Sequence, residues 1–160
     1  MTGPINAKVP LIVVETPIAT PPARCFDLAR DVSAHVASTS WTRERAVAGK
    51  TCGILELGDE VTWEAVHFGV RQRLTAKITR CEPPRIFVDE MVRGAFHSFE
   101  HVHEFVPERA GTRMVDRFCY RSPLGPLGLL ADALFLERYM RRLLEARALY
   151  LKETLERGER

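Results

Sequence analysis

From Asp59 to Arg121 apolar and polar residues alternate with a period of two, the spacing that turns one side of a strand toward a core and the other toward water. Val61, Trp63, Ala65 and His67 take one side of a first segment, with Thr62, Glu64 and Val66 on the other. Beyond Phe68-Gly69, Val70, Gln72, Leu74, Ala76 and Ile78 alternate with Arg71, Arg73, Thr75, Lys77 and Thr79. Together they read as a hairpin with one mostly apolar face and one basic face. If His67 pairs with Val70, then Ala65 meets Gln72 and Trp63 meets Leu74, and the faces agree across the pair.

A second hairpin is predicted from Phe99 to Val106 and Thr112 to Arg121, around a turn from Pro107 to Gly111. Phe99, His101, His103 and Phe105 share one face of it; Met114, Asp116, Phe118 and Tyr120 share one face of its second strand. Pairing Phe105 with Met114 sets His103 opposite Asp116. Arg85 to Val92 forms a strand after the break at Glu82-Pro83-Pro84. Leu11 to Thr16 forms a first strand ended by Pro17, and Trp41 to Val47 has only partial alternation. Between these, Pro21-Pro22 opens a short helix through Arg30, and Asp31 or Ser33 caps a second one carrying Ala34, Val36 and Ala37.

The last segment changes period. After a turn at Gly125-Pro126-Leu127-Gly128, the positions Leu130, Leu134, Met140, Leu143, Leu144, Tyr150, Leu151 and Leu155 recur near helical spacing between Arg141, Arg142, Arg147 and Lys152. They predict one amphipathic helix from Leu127, ~40 Å long at ~1.5 Å per residue.

No crossover helix separates the strands, so the sheet is expected to be an antiparallel meander. The implied class is α+β: a curved antiparallel sheet of about seven strands wrapped around a long C-terminal helix, with two short helices after the first strand. Such a sheet need not close fully on one helix, and the gap becomes a cavity suited to an apolar ligand.

This order resembles the helix-grip fold of the START-related, or SRPBCC, superfamily, which includes polyketide cyclases, coenzyme-Q-binding proteins and the birch-pollen allergen family. Gly58-Asp59-Glu60-Val61-Thr62-Trp63-Glu64-Ala65 and His67-Phe68-Gly69-Val70-Arg71-Gln72 are similar to its bacterial cyclase/dehydrase-like branch. So are Phe96-His97-Ser98-Phe99-Glu100-His101 and Gly111-Thr112-Arg113-Met114-Val115-Asp116-Arg117. The likeness covers nearly the whole chain after about residue 9 and implies one domain over 1–160. Members bind different molecules, so the fold alone does not name a function.

Composition narrows the classes. At 160 residues, with 46% hydrophobic and 28% charged, the chain is expected to be a soluble globular domain, not a disordered one. The net charge of +2 is too even for a nucleic-acid partner. No apolar run reaches the ~18 residues of a membrane span, and the start Met1-Thr2-Gly3-Pro4 has no secretory signal pattern. Cys25, Cys52, Cys81 and Cys119 lack CxxC spacing and read as reduced thiols of a cytoplasmic protein. No cofactor motif appears and no cofactor is expected. A homodimer is a further partner left open.

Candidate chemistry sits on the inward faces. His101 and His103 lie about 7 Å apart on one strand face, His103 opposite Asp116, and His67 ends another inward face. His-x-His with a carboxylate suits a divalent ion, but the spacing of His67, His101, His103 and Asp116 matches no established ligand motif, and no metal is assigned. The plainer reading is a polar patch in a cavity wall, with Asp116 holding a histidine tautomer or an arginine. As catalytic candidates, His101 or His103 would serve as base, with Asp116 or Tyr120 orienting it. Gln72, Asp89, Asp116 and Tyr120 lie on otherwise apolar faces and need partners once buried. The expected ligand-lining set is Trp63, Ala65, His67, Gln72, Leu74, Asp89, Phe99, His101, His103, Asp116, Phe118 and Tyr120 from the sheet, with Leu134, Met140 and Leu144 from the helix. Trp63, Phe99, Phe105, Phe118 and Tyr120 either form an aromatic pocket or pack on the helix. Arg71, Arg73 and Lys77 make a basic outer stripe that a solvated face explains, an anionic membrane surface being the other reading. Three functions follow in order: carriage of a hydrophobic small molecule (lipid, isoprenoid, quinone or polyketide-like), a polyketide cyclase/dehydratase-type enzyme with a His/Asp proton shuttle, and an interaction module with a filled core.

Overall fold

A computed structural model describes residues 9–122, 127, 130 and 135–158. The chain runs through β1 (Leu11–Ile18), α1 (Pro22–Ala29), α2 (Val32–Ser38), a 3-10 turn (Ser40–Thr42), β2 (Arg45–Gly49), β3 (Glu60–His67), β4 (Val70–Glu82), β5 (Ile86–Arg93), β6 (Ser98–Glu108), β7 (Gly111–Arg121) and α3 (Glu137–Arg157). The strands form one antiparallel sheet in the order β1-β7-β6-β5-β4-β3-β2. The sheet curves around α3 in the helix-grip arrangement that the alternation and the long terminal stripe imply.

Both hairpins keep the expected register. His67 faces Val70, Ala65 faces Gln72 and Trp63 faces Leu74; Phe105 faces Met114 and His103 faces Asp116. The β3–β4 turn places Phe68 and Gly69 at positive φ, 52° and 75°, the handedness that matches strand twist in a two-residue hairpin. Phe68 is a bulky residue in this region, and its ring lies exposed beside Tyr139.

Several boundaries differ from the sequence expectation. β1 continues through Pro17 to Ile18 because it is an edge strand, where a missing N–H faces no neighbour. The β6–β7 turn is two residues, Arg109-Ala110, not five, since Glu108 already pairs with Gly111. Gly111 is required there: a side chain would overlap the Ile18 carbonyl. Trp41 belongs to the 3-10 turn and β2 begins only at Arg45. β2 pairs with β3 alone and carries a bulge between Ala46 and Ala48, so its alternation is broken. Asp31 is the cap of α2, accepting from the Ala34 N–H at 2.8 Å.

α3 begins at Glu137, after a π-type turn at Phe135–Leu136. Its buried stripe is Leu144, Ala148, Leu151 and Leu155. Leu130, the first position of the helical stripe read from the sequence, is 57% exposed; the expected turn at residues 125–128, Leu127 apart, lies outside the described residues, as does Leu134. Polar residues of α3 also cover the β1 edge: Lys152 Nζ donates to the Pro17 carbonyl at 2.6 Å, and Glu156 accepts from the Ala19 N–H at 2.9 Å. The basic stripe on the outer sheet face is an ion-pair ladder, with Glu64 bridging Arg45 and Arg73 and Lys77 near Glu60.

Two apolar clusters fill the interior. Phe26 of α1 meets Phe87 and Phe105 edge-on at 5.7 and 5.5 Å, with Met114, Leu151 and Leu155 around them. At the other end Ile12, Ala76, Phe99, Phe118, Tyr120 and Leu144 pack together. Between them stand the polar residues of the site.

Candidate functional site

The spacing of two along β6 puts His101 and His103 on the inward face, and the register brings Asp89 of β5 beside His101 and Asp116 of β7 beside His103. Asp116 Oδ1 accepts from His101 Nε2 at 3.1 Å and lies 2.7 Å from His103 Nδ1. His103 Nε2 donates to Asp89 Oδ1 at 2.8 Å, and its ring stacks on Phe87 at 4.1 Å. His101 Nδ1 is 3.9 Å from Asp89 Oδ1, outside hydrogen-bond reach.

Burial and the charge of His103 push the His101 imidazole down to about 4, against the pull of Asp116 and Asp89, so at neutral pH it carries one hydrogen. That hydrogen is on Nε2, committed to Asp116, which leaves the Nδ1 lone pair free. Burial pushes both carboxyls up, but hydrogen bonds from the imidazoles outweigh it and hold Asp116 and Asp89 below their ordinary range. Asp89, His101 and His103 bring their ligand atoms within 4.8 Å of one another, a set that can take a divalent cation in place of the shared hydrogen. His67, the fourth residue of the sequence-based metal set, stands apart from it and pairs with Tyr139.

A cavity of about 340 Å³ opens between the sheet and α3. Its body is apolar, built from Leu74, Ala76, Phe96, Phe99, Phe118 and Leu144 among others, and its polar lining comes from Asp89, His101 and Arg147 and from His35, Glu44, His67 and Tyr139. His35 stacks on Trp63 at 4.0 Å and meets Glu44 at 3.1 Å, while His67 Nδ1 lies 2.7 Å from the Tyr139 hydroxyl. Burial lowers His67 against the charge of Glu44, and burial with that same charge raises Tyr139, so both are neutral near pH 7. Burial raises the Glu44 carboxyl, but the His35 interactions outweigh it and keep it ionised.

Of the expected lining residues, Trp63, Ala65, His67, Gln72, Leu74, Asp89, Phe99, His101, Phe118, Met140 and Leu144 border the cavity. His103, Asp116 and Tyr120 do not: they stand behind that lining, each at most 4% exposed. Phe105 packs under α1. Sequence reasoning missed His35, Glu44, Tyr139 and Arg147. Arg147 has a readable signal, since Met140, Leu143, Leu144 and Arg147 follow helical spacing on one face; its charge alone places it on the polar side. His35 and Glu44 carry none, lying outside the alternating segments.

The model of the family described as polyketide cyclase / dehydrase and lipid transport matches residues 18–147. Among curated proteins no relative matches the chain. The solved structure of TTHA0849 from Thermus thermophilus is similar at a TM-score of 0.77 and 22% identity, covering 94% of this chain and 100% of its own. Protein Ms6760 from Mycobacterium smegmatis aligns at 0.67 and 17%, covering 93% and 92%. Ginseng major latex-like protein 151 from Panax ginseng aligns at 0.67 and 12%, covering 91% and 96%. At these identities the likeness speaks for the fold. Among the described residues no helix is long and apolar enough to cross a membrane.

Proposed function

This chain belongs to the polyketide cyclase/dehydrase and lipid transport family, and from that premise we propose that it binds and carries a hydrophobic small molecule in the cavity between sheet and α3. The observation that carries this reading is the cavity itself, about 340 Å³ with a mostly apolar lining and a few polar groups. A filled interaction module would close-pack that space, as protein interiors do. The volume falls at the small end of ligand sites, and the rings of Trp63, Phe99 and Phe118 suit a flat or isoprenoid body better than a long acyl chain. Native mass spectrometry of freshly expressed protein tests it, together with uptake of the neutral probe N-phenyl-1-naphthylamine. The expected result is a co-purified apolar molecule, or saturable probe uptake once it is stripped. Protein that is empty and takes up no probe overturns the reading.

One observation favours an enzyme as the second reading: His101 borders the cavity and pairs through Nε2 with Asp116, which leaves its Nδ1 to serve as a general base. A cyclase or dehydratase would use it to take a proton next to a ligand carbonyl, with Asp116 positioning the ring. Turnover of a β-keto thioester that is lost in His101→Gln supports catalysis; binding of that thioester without turnover leaves carriage as the function.

A further inference from the structure

Three elements meet around Tyr139, and each shows solvent a large apolar side chain. The 3-10 turn presents Trp41, the β3–β4 hairpin presents Phe68 and Val70, and the turn leading into α3 presents Phe135, every one of them more than half exposed. The Tyr139 ring lies 5.9 Å from Trp41 and 4.5 Å from Phe68, Phe68 lies 5.9 Å from Phe135, and the Tyr139 hydroxyl is held 2.7 Å from His67 Nδ1. Phe68, Phe135 and Tyr139 also border the cavity, so the patch stands where the cavity meets solvent. Apolar residues scattered singly over a surface need no explanation, whereas a contiguous exposed patch marks an interaction site. Phe68 carries a second sign: a bulky residue at a φ of 52° is strained, and such strain collects at functional positions.

Each element also brings an exposed arginine: Arg43 directly after the 3-10 turn, Arg71 on the hairpin, and Arg138 in the first turn of α3. Arg138 follows Phe135 at the spacing that puts two residues on neighbouring positions of a helix surface. None of the three arginines has a carboxylate partner among the described residues. The acids beside them in sequence, Glu44 and Glu137, are engaged by His35 and Arg141.

We propose that this rim of aromatic rings and arginines docks the protein on an anionic lipid bilayer, with Trp41, Phe68 and Phe135 entering the interface and Arg43, Arg71 and Arg138 meeting lipid phosphates. An apolar cluster fringed by cations suits such a surface, because buried apolar area and charge attraction both contribute to binding. A second copy of the chain on the same patch would set arginine against arginine across a two-fold axis. The proposal rests on the carriage reading for its use, since docking turns the open side of the cavity toward the bilayer.

Co-sedimentation of the intact protein with vesicles tests it, using phosphatidylcholine alone and phosphatidylcholine with phosphatidylglycerol as about a third of the lipid. Wild type is expected on the anionic vesicles, less of it as salt is raised, with its tryptophan emission moved to the blue as exposed Trp41 leaves water. Trp41→Ala should weaken vesicle binding about tenfold, the scale of burying one large apolar side chain. Arg71→Gln should weaken it about fivefold, and on the anionic vesicles only, the scale of one cation at such a surface. Neither residue borders the cavity, so both variants should take up N-phenyl-1-naphthylamine in solution as wild type does, which also shows that they fold. Absence of wild type from both kinds of vesicle overturns docking, and probe uptake then leaves carriage standing. Anionic-vesicle binding that Trp41→Ala leaves unchanged overturns it as well, because charge alone would then hold the protein. A dimer that Trp41→Ala dissociates, with no vesicle binding, gives the patch to a second copy and overturns the proposal. Vesicle binding without probe uptake supports the docking surface and overturns carriage.

Discussion

Acid should loosen this protein through His101. In an unfolded chain its imidazole takes up a proton near pH 6.5, whereas burial in the cavity wall, with the charge of His103, holds it to about 4 in the fold. Across that interval the unfolded state binds the proton and the native state does not, so stability rises with pH and is lost as pH falls. One pH unit of the gap corresponds to about 1.4 kcal/mol, so the whole gap amounts to about 3 kcal/mol. That is a large share of the ~5–15 kcal/mol that holds an ordinary domain together. Asp89 and Asp116, whose carboxyls the imidazoles keep low against burial, add their loss only as pH falls through the ordinary carboxylate range of about 4. His67, also lowered by burial, titrates with the same sign. Urea denaturation at pH 6.5 and pH 4 of wild type and His101→Gln separates these contributions. Glutamine keeps an N–H for Asp116 and does not titrate, so everything but His101 cancels in the difference. Wild type should lose about 3 kcal/mol more than the variant over the interval. Equal losses would refute a buried neutral His101.

Three further outcomes follow from the same geometry. Leu144→Ala removes a buried residue that already borders open space, so its cost should sit at the low end of ~2–5 kcal/mol; a change below ~0.5 kcal/mol in urea denaturation would mean α3 does not pack as described. Ala65→Trp puts an indole into the cavity from β3 and should abolish N-phenyl-1-naphthylamine uptake with little loss of stability, whereas in a filled core it would overpack and destabilise by ~1–3 kcal/mol. Zinc or a chelator should leave the melting temperature unchanged; a rise with zinc that Asp89→Asn removes would show that a cation displaces the hydrogen shared by Asp89 and His103.

The sheet was legible because its two hairpins alternate cleanly and a single pairing in each sets every other register position. The His67–Val70 and Phe105–Met114 pairs are enough to place Ala65, Gln72, His103 and Asp116 correctly. What alternation cannot report is depth. His101 and His103 share a face and a strand, yet one borders the cavity and the other stands behind it against Phe87. Apart from Arg147, the residues missed belong to elements whose periodicity is short or broken: α2, the stretch before β2, and the first turn of α3. Pro17 illustrates a second limit, because tolerance of proline depends on whether the strand is an edge, and strand order is a property of the whole sheet.

The Asp89–His101–His103–Asp116 cluster bears on function through what it costs. Removing ionised carboxylates from water is expensive, and hydrogen-bonded partners at best repay it; replacing such groups by apolar residues of like volume is often neutral or stabilising. These four sit on three adjacent strands beside Phe87, Phe105 and Phe118, where apolar side chains would extend the existing clusters. A carrier that recognised only greasiness would have no use for them. The arrangement does have a consequence at the cavity surface: Asp116, from behind the wall, fixes which nitrogen of His101 is bare, and His101 borders the ligand space together with Asp89 and Arg147. A buried cluster thus converts into one oriented acceptor on a ring of the cavity wall. Asp116→Asn should therefore act on ligand choice: an amide that turns its N–H toward His101 Nε2 would reverse the tautomer, place a hydrogen on Nδ1 and remove the acceptor. A hydroxyl donating to that nitrogen would favour 2-naphthol over naphthalene, and this preference would fall in the variant while the cavity stayed open. An Asp116→Asn protein that folds, takes up N-phenyl-1-naphthylamine and prefers 2-naphthol over naphthalene as wild type does would sever the cluster from recognition.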